Sequence, residues 1–134
     1  MSNYSLEQKE VNRKIQFIPQ PFRSVQCGQT CLAMIVGTSV EEVCKSLGKI
    51  YYTNLNPDLK RYLEGNGYST LMATGPFEIS EVPSNSIMRM EKPDTSGHFV
   101  IKIDEKKVFD PAVGVVSEYL NHYKISHYLS FWKD

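Results

Sequence analysis

The strongest constraint on the fold of this chain is a change of hydrophobic period at Gly67. Up to that glycine, apolar residues recur at helical spacing; beyond it they alternate with polar ones in short runs broken by Pro, Gly, Asn and Asp. A period of about 3.6 marks helices with one buried stripe, and a period of about 2 marks half-buried strands. Helices first and strands second predict an α+β fold, N-terminal helices packed on a C-terminal antiparallel sheet.

The helical half carries its own punctuation. A first helix is expected over 28–36, stopped by Gly37. Ser39 followed by Glu42 makes a capping box that opens a second helix running to Leu47 and closed by Gly48. Asn56 before Pro57 predicts the cap and first residue of a third helix through Leu63, ending at Gly65 or Gly67. Strands are expected over 68–73, 86–90, 98–103, 108–109 and 125–132, with a short helix at 118–123 between the last two. Residues 1–14 read as a polar N-terminal arm and 15–134 as one domain, whose opening stretch 15–22 holds Pro19 and Pro21 and suits an extended edge segment.

A chain of 134 residues is one domain on size and buries enough surface to hold a core without staples. Its 15 basic and 15 acidic side chains cancel and form no basic block, which argues against nucleic acid or an anionic membrane as partner. No apolar run approaches the ~20 residues of a membrane span. The N-terminus lacks the apolar stretch of a secretory signal. Three cysteines, an odd count, favour free thiols in a reducing compartment. The expectation is a cytoplasmic protein without cofactor. No metal site is expected, because Cys27 and Cys31 have no second pair of ligand spacing.

The residues that carry chemistry begin with Gln26-Cys27-Gly28-Gln29-Thr30-Cys31. A cysteine at a helix start meets backbone N–H groups and the positive end of the helix, which stabilise the nucleophilic thiolate. A base is needed to take its proton. His98, in Gly97-His98-Phe99-Val100-Ile101, opens an apolar strand. Asp104-Glu105-Lys106-Lys107 is a charged tight turn, so the two strands beside it form a hairpin whose far end is Asp110. Folding about Glu105 puts His98 and Asp110 on one face, two residues out of direct opposition, whereas a four-residue loop shifts the register and breaks that parity. A carboxylate there holds the imidazole in one tautomer while its other nitrogen faces the sulfur.

Three blocks, Cys27-Gly28-Gln29-Thr30-Cys31-Leu32-Ala33-Met34, Gly97-His98-Phe99-Val100-Ile101 and Phe109-Asp110-Pro111-Ala112-Val113-Gly114, resemble those of the bacteriocin-processing, double-glycine leader peptidases. These are papain-like cysteine peptidases usually fused to the N-terminus of ABC exporters. The resemblance spans about residues 15 to 134 and implies a papain-like fold. It implies Cys27 as nucleophile, His98 as general base and later general acid, and Asp110 as the orienting carboxylate. The oxyanion is then bound by the Cys27 N–H and an upstream glutamine side chain. The family usually places that glutamine six residues before the cysteine, where this chain has Pro21. Gln20 is the nearest match, one residue farther away, so the loop must take up one residue of slack. Gln26 replaces an acidic residue common before the nucleophile and is the alternative oxyanion group.

Neither a membrane span nor a Gly-x-x-x-x-Gly-Lys-Ser/Thr motif follows, which predicts a stand-alone bacterial or phage domain without the exporter. The expected reaction is hydrolysis of an amide or peptide bond in a protein or peptide through a thioester. Deamidation and acyl transfer use the same acyl-enzyme and stand as alternatives, as does a non-catalytic binding module on the same fold. Cys31 and Cys44 read as packing residues. His122 and His127 have no carboxylate near them in sequence and read as structural or surface residues. The aromatic residues read mostly as core, with 17–22 as a candidate wall of a substrate groove.

Overall fold

The structure, a computed structural model, describes residues 15–117 and 124–133. The expected arm at 1–14 and the expected helix at 118–123, with His122, lie outside the described residues.

Helix α1 (Cys27–Val36) ends at Gly37, whose φ of 84° lets its N–H turn back to the Ala33 carbonyl. Helix α2 (Val40–Leu47) starts where Ser39 Oγ accepts from the Glu42 N–H at 3.1 Å. Its first turn holds Glu41 and Glu42 and its last Lys45, complementing the helix dipole. The cap expected at Asn56 is replaced by one at Asn54. Asn54 Oδ1 accepts from the Asp58 N–H and Asp58 Oδ2 accepts from the Asn54 N–H, both at 3.0 Å. This reciprocal pair satisfies two N–H groups at once, while Asn56 is extended (φ −135°, ψ 115°). A wide turn over Leu55–Leu59 then leads into α3 (Lys60–Gly65).

Six strands follow: β1 (Ser69–Phe77), β2 (Ser86–Glu91), β3 (Gly97–Asp104), β4 (Lys107–Asp110), β5 (Gly114–Val116) and β6 (Lys124–Trp132). They form one antiparallel sheet in the order β1-β6-β2-β3-β4-β5. The α+β architecture is thus the one expected. Strand β5 was not anticipated, because three residues are too few to display a period.

The main core joins Leu32, Ile35, Leu59 and Leu63 of the helical half to Ile87, Ile101 and Leu129 of the sheet. The alternate residues of the same strands, Met88, Met90, Val100 and Val108, form a second cluster with Val82 and Ile125. The central strands are therefore apolar on both sides. Lys102 is buried within that second side, where its Nζ donates to the carbonyls of Ile79 (2.9 Å) and Val82 (2.7 Å) and ties the 79–82 segment to the sheet.

The β3–β4 hairpin closes with Asp104 opposite Lys107 around a two-residue turn. One step farther in, Lys102 faces Val108 and Ile101 faces Phe109. Ile103 is an extra residue on β3, a bulge that changes the register by one. Inside the bulge the strands fold about Glu105, the parity on which the expected His98–Asp110 pairing depends.

Candidate active site

Cys27 is the first residue of α1, preceded by Gln26, whose side chain caps nothing and instead donates from Nε2 to the Ile50 carbonyl at 3.1 Å. The first turn itself holds no acidic residue that would oppose a thiolate at the positive end of the helix. The backbone N–H groups of Gly28 and Phe99 donate to the Cys27 sulfur. Cys31, one turn on, is fully buried, and all three cysteines are free thiols. Burial, with the charges of Cys27 and Asp110 nearby, pushes the Cys31 thiol well up, so it stays protonated and inert.

His98 and Asp110 meet as the hairpin parity requires. His98 Nε2 is 2.7 Å from Asp110 Oδ1, and the same oxygen accepts from the Ala112 N–H at 2.9 Å. Asp110 is buried. With Nε2 committed to the carboxylate, the other ring nitrogen remains for the hydrogen bond that joins His98 to Cys27. Burial disfavours the imidazolium, yet hydrogen bonds to Asp110 and Cys27 and the charges of both outweigh it and raise His98 to about 9. Burial likewise opposes the Cys27 thiolate, and the bonds from His98, Phe99 and Gly28 outweigh it to bring the thiol below its usual value. Both shifts favour a thiolate–imidazolium pair over the neutral thiol and imidazole.

Gln20 stands beside this chain of contacts. Its N–H donates to the Pro111 carbonyl at 2.9 Å, next to Asp110, and its side-chain Nε2 donates to the Ser24 carbonyl at 2.9 Å. Its Oε1 is buried without a partner. Residues 15–22, expected as an extended edge segment, join no strand. Phe17 instead packs edge-on against Phe109 (5.7 Å between ring centroids). His127 sits apart from the Cys27–His98 pair, its Nδ1 at 2.9 Å from Ser126 Oγ.

The residues that sequence reasoning missed lie in the 49–53 loop. Gln29, fully buried, donates from Nε2 to the carbonyls of Tyr51 (2.7 Å) and Lys49 (3.3 Å). With Gln26 it fastens the loop to the helix start. Thr53 Oγ1, buried and unpartnered, occupies the space where a Cβ on Gly28 would stand, and Phe99 and Leu59 close the rest of that space. Gly28 is therefore fixed by close approach, a requirement invisible until the loop is placed. The loop leaves Ile50, Tyr51 and Tyr52 exposed, as are Phe22 and Val25 on the segment just before Cys27, whereas Tyr68, Phe99, Phe109 and Phe131 fill the core as expected.

Among the described residues no group of three or more His, Cys, Asp or Glu side chains could hold a metal ion, and no helix is long and apolar enough to cross a membrane.

No protein-family model matches the chain, and no curated protein matches its sequence. Several solved structures share its fold, among them the following two. One is a double-glycine-motif protease from an AMS/PCAT transporter, solved in complex with the leader peptide: TM-score 0.69, 17% identity, covering 90% of this chain and 93% of that one. The other is the peptidase domain of Streptococcus ComA, a bifunctional ABC transporter involved in quorum sensing: TM-score 0.67, 14% identity, covering 90% of this chain and 99% of that one. At these identities the likeness is one of fold, and the fold is that of papain-like double-glycine peptidase domains.

Proposed function

We propose that this protein is a cysteine peptidase that cleaves a peptide bond after a double glycine in a protein or peptide. The observation that carries the reading is the continuous contact Cys27–His98–Asp110 at an uncapped helix start. The fold shared with a double-glycine protease solved with its leader peptide supports the substrate class.

The Cys27 thiolate attacks the scissile carbonyl, forming the C–S bond and placing the carbonyl electron pair on oxygen. The Cys27 N–H and the second N–H of Gln20 Nε2, beyond the one given to Ser24, hold that oxyanion. The tetrahedral intermediate collapses, the C–N bond breaks and the His98 imidazolium gives its proton to the departing amine. Neutral His98 then takes a proton from water, which attacks the thioester and releases the carboxylic acid and the thiol. Asp110 keeps the ring oriented and its charge matched throughout. The exposed Ile50, Tyr51 and Tyr52 beside the helix start offer apolar contact to the substrate residues flanking the glycines.

The test is incubation with a synthetic double-glycine leader peptide, read by mass spectrometry, beside the Cys27→Ala variant. A cut after the glycines that Cys27→Ala abolishes is the expected result. An uncut peptide of altered mass at a glutamine assigns deamidation instead. A cut that survives Cys27→Ala removes the nucleophile assignment.

A further inference from the structure

The segment between Gln20 and Cys27 is built as a turn with unusual backbone. The Ser24 N–H donates to the Pro21 carbonyl at 3.0 Å, and Arg23 lies at φ 59°, in the left-handed region that glycine and asparagine ordinarily fill at this place in a turn. Such backbone persists where its surroundings over-determine it. Ser24 makes two further bonds. Its carbonyl accepts from Gln20 Nε2 at 2.9 Å, and its Oγ accepts from the Gln26 N–H at 3.3 Å. The amide of Gln20 is thereby joined through one residue to the residue before Cys27, while its backbone is held at Pro111 beside Asp110.

This arrangement decides which way the glutamine amide faces. A carbonyl oxygen can only accept, so Ser24 requires the nitrogen of the Gln20 amide and not its oxygen. That bond uses one of the two N–H groups of the nitrogen.

We propose that the Pro21–Ser24 turn is a positioning device for the oxyanion donor, with Arg23 and Ser24 acting through Gln20. The proposal rests on the reading of Cys27 as a nucleophile that attacks carbonyl carbon. Arg23 serves by its backbone and not by its charge. Its guanidinium lies over the Phe22 ring, at 5.2 Å from the centroid, and pairs with no carboxylate among the described residues.

Two small probes of Cys27 separate oxyanion stabilisation from thiolate reactivity. Acylation by p-nitrophenyl acetate forms the C–S bond through a tetrahedral oxyanion and expels p-nitrophenolate. Alkylation by iodoacetamide displaces iodide at a saturated carbon and forms no oxyanion. Gln20→Ala and Arg23→Val are expected to slow acylation about tenfold or more with alkylation unchanged. Arg23→Gly, which tolerates the same backbone, should behave as wild type. Ser24→Ala should slow acylation and Ser24→Thr restore it. The Gln20→Ala/Arg23→Val double variant should be no slower than Gln20→Ala, since both act on one group.

If Gln20→Ala slows acylation and neither Arg23→Val nor Ser24→Ala does, the turn is not the device, though the glutamine keeps its role. If Gln20→Ala leaves acylation unchanged, the glutamine and the turn both lose their assignments. If Arg23→Val slows alkylation equally, the turn acts on the thiolate or the fold and the proposal fails. A wild-type protein that is alkylated but never acylated overturns the nucleophile reading itself.

Discussion

His98 Nε2 lies 2.7 Å from Asp110 Oδ1 across a hairpin whose two-residue turn would by itself put the two side chains on opposite faces. The Ile103 bulge restores their parity. It does so five residues along the chain from the nearer of them, His98. A strand shifted by one residue presents every side chain to the wrong side. The site is therefore specified partly by a backbone irregularity, with Asp110 then fixed by the Ala112 N–H.

Asp110→Asn tests the charge at that position while preserving its shape. An amide still accepts from the histidine or donates to it, but no longer stabilises the imidazolium. Turnover of a double-glycine peptide should fall by about 10²–10⁴-fold, the range of general acid–base contributions. His98 should fall from its raised value of about 9, measurable by NMR titration of the ring. An Asp110→Asn enzyme with wild-type kcat would falsify the orienting role.

The pH dependence should divide by probe. Cys27 is shifted down and His98 up, so the thiolate–imidazolium pair exists between the two values. As pH falls through the Cys27 value, the sulfur is protonated and both alkylation and turnover decline. As pH rises through about 9, His98 loses its proton. Turnover then falls, because the leaving amine has no acid, while alkylation of the remaining thiolate does not. His98→Ala removes the main support of the thiolate and should slow alkylation at about pH 6, as expected for a thiol returned toward its ordinary range. Equal alkylation rates in the variant and the wild type would remove the pair.

The local signals were legible in sequence where they were purely local. Ser39 and Gly48 bound α2 as capping chemistry dictates, and the Cys27, His98 and Asp110 blocks fall on the helix start, strand start and strand end expected for them. The misplaced cap at Asn56 shows the limit of that logic. Two asparagines two residues apart carry the same propensity, and the reciprocal bond from Asp58 chose Asn54. The need for glycine at 28 was not legible at all. It arises from Thr53, 25 positions away, and nothing in the spacing of the two residues announces their contact.

That contact yields a prediction against propensity. Alanine is the better helix former, by about 1 kcal/mol, so Gly28→Ala on helix grounds alone would stabilise. Here the added Cβ meets Thr53 Oγ1 and lies 3.2 Å from Phe99 and 3.3 Å from Leu59. Overpacking of this kind costs about 1–3 kcal/mol. Gly28→Ala should lower Tm and slow Cys27 alkylation, since the displaced turn also carries an N–H that donates to the sulfur. Thr53→Ala in the same chain should recover part of both losses. A Gly28→Ala variant with raised Tm would show that the loop yields freely.

Gln29 joins this loop to the helix, and its removal should affect substrate binding more than chemistry. Gln29→Met keeps the volume but leaves the carbonyls of Lys49 and Tyr51 without their donor. A carbonyl left unpaired in a buried contact costs about 1–3 kcal/mol, less in this part-buried one, and the loop recovers it by moving out to water. The unpartnered Oε1 disappears in the same change and offsets part of that cost. Movement of the loop carries Tyr51 and Tyr52 away from the helix start, while Cys27, His98 and Asp110 hold their contacts on α1, β3 and β4. Steady-state kinetics on a double-glycine peptide should therefore show KM raised several-fold, on the order of the loss of one apolar contact of about 1 kcal/mol, with kcat and the iodoacetamide rate near wild type. A fall in kcat at unchanged KM would instead place Gln29 in the support of the nucleophile and leave the 49–53 loop without a role in binding.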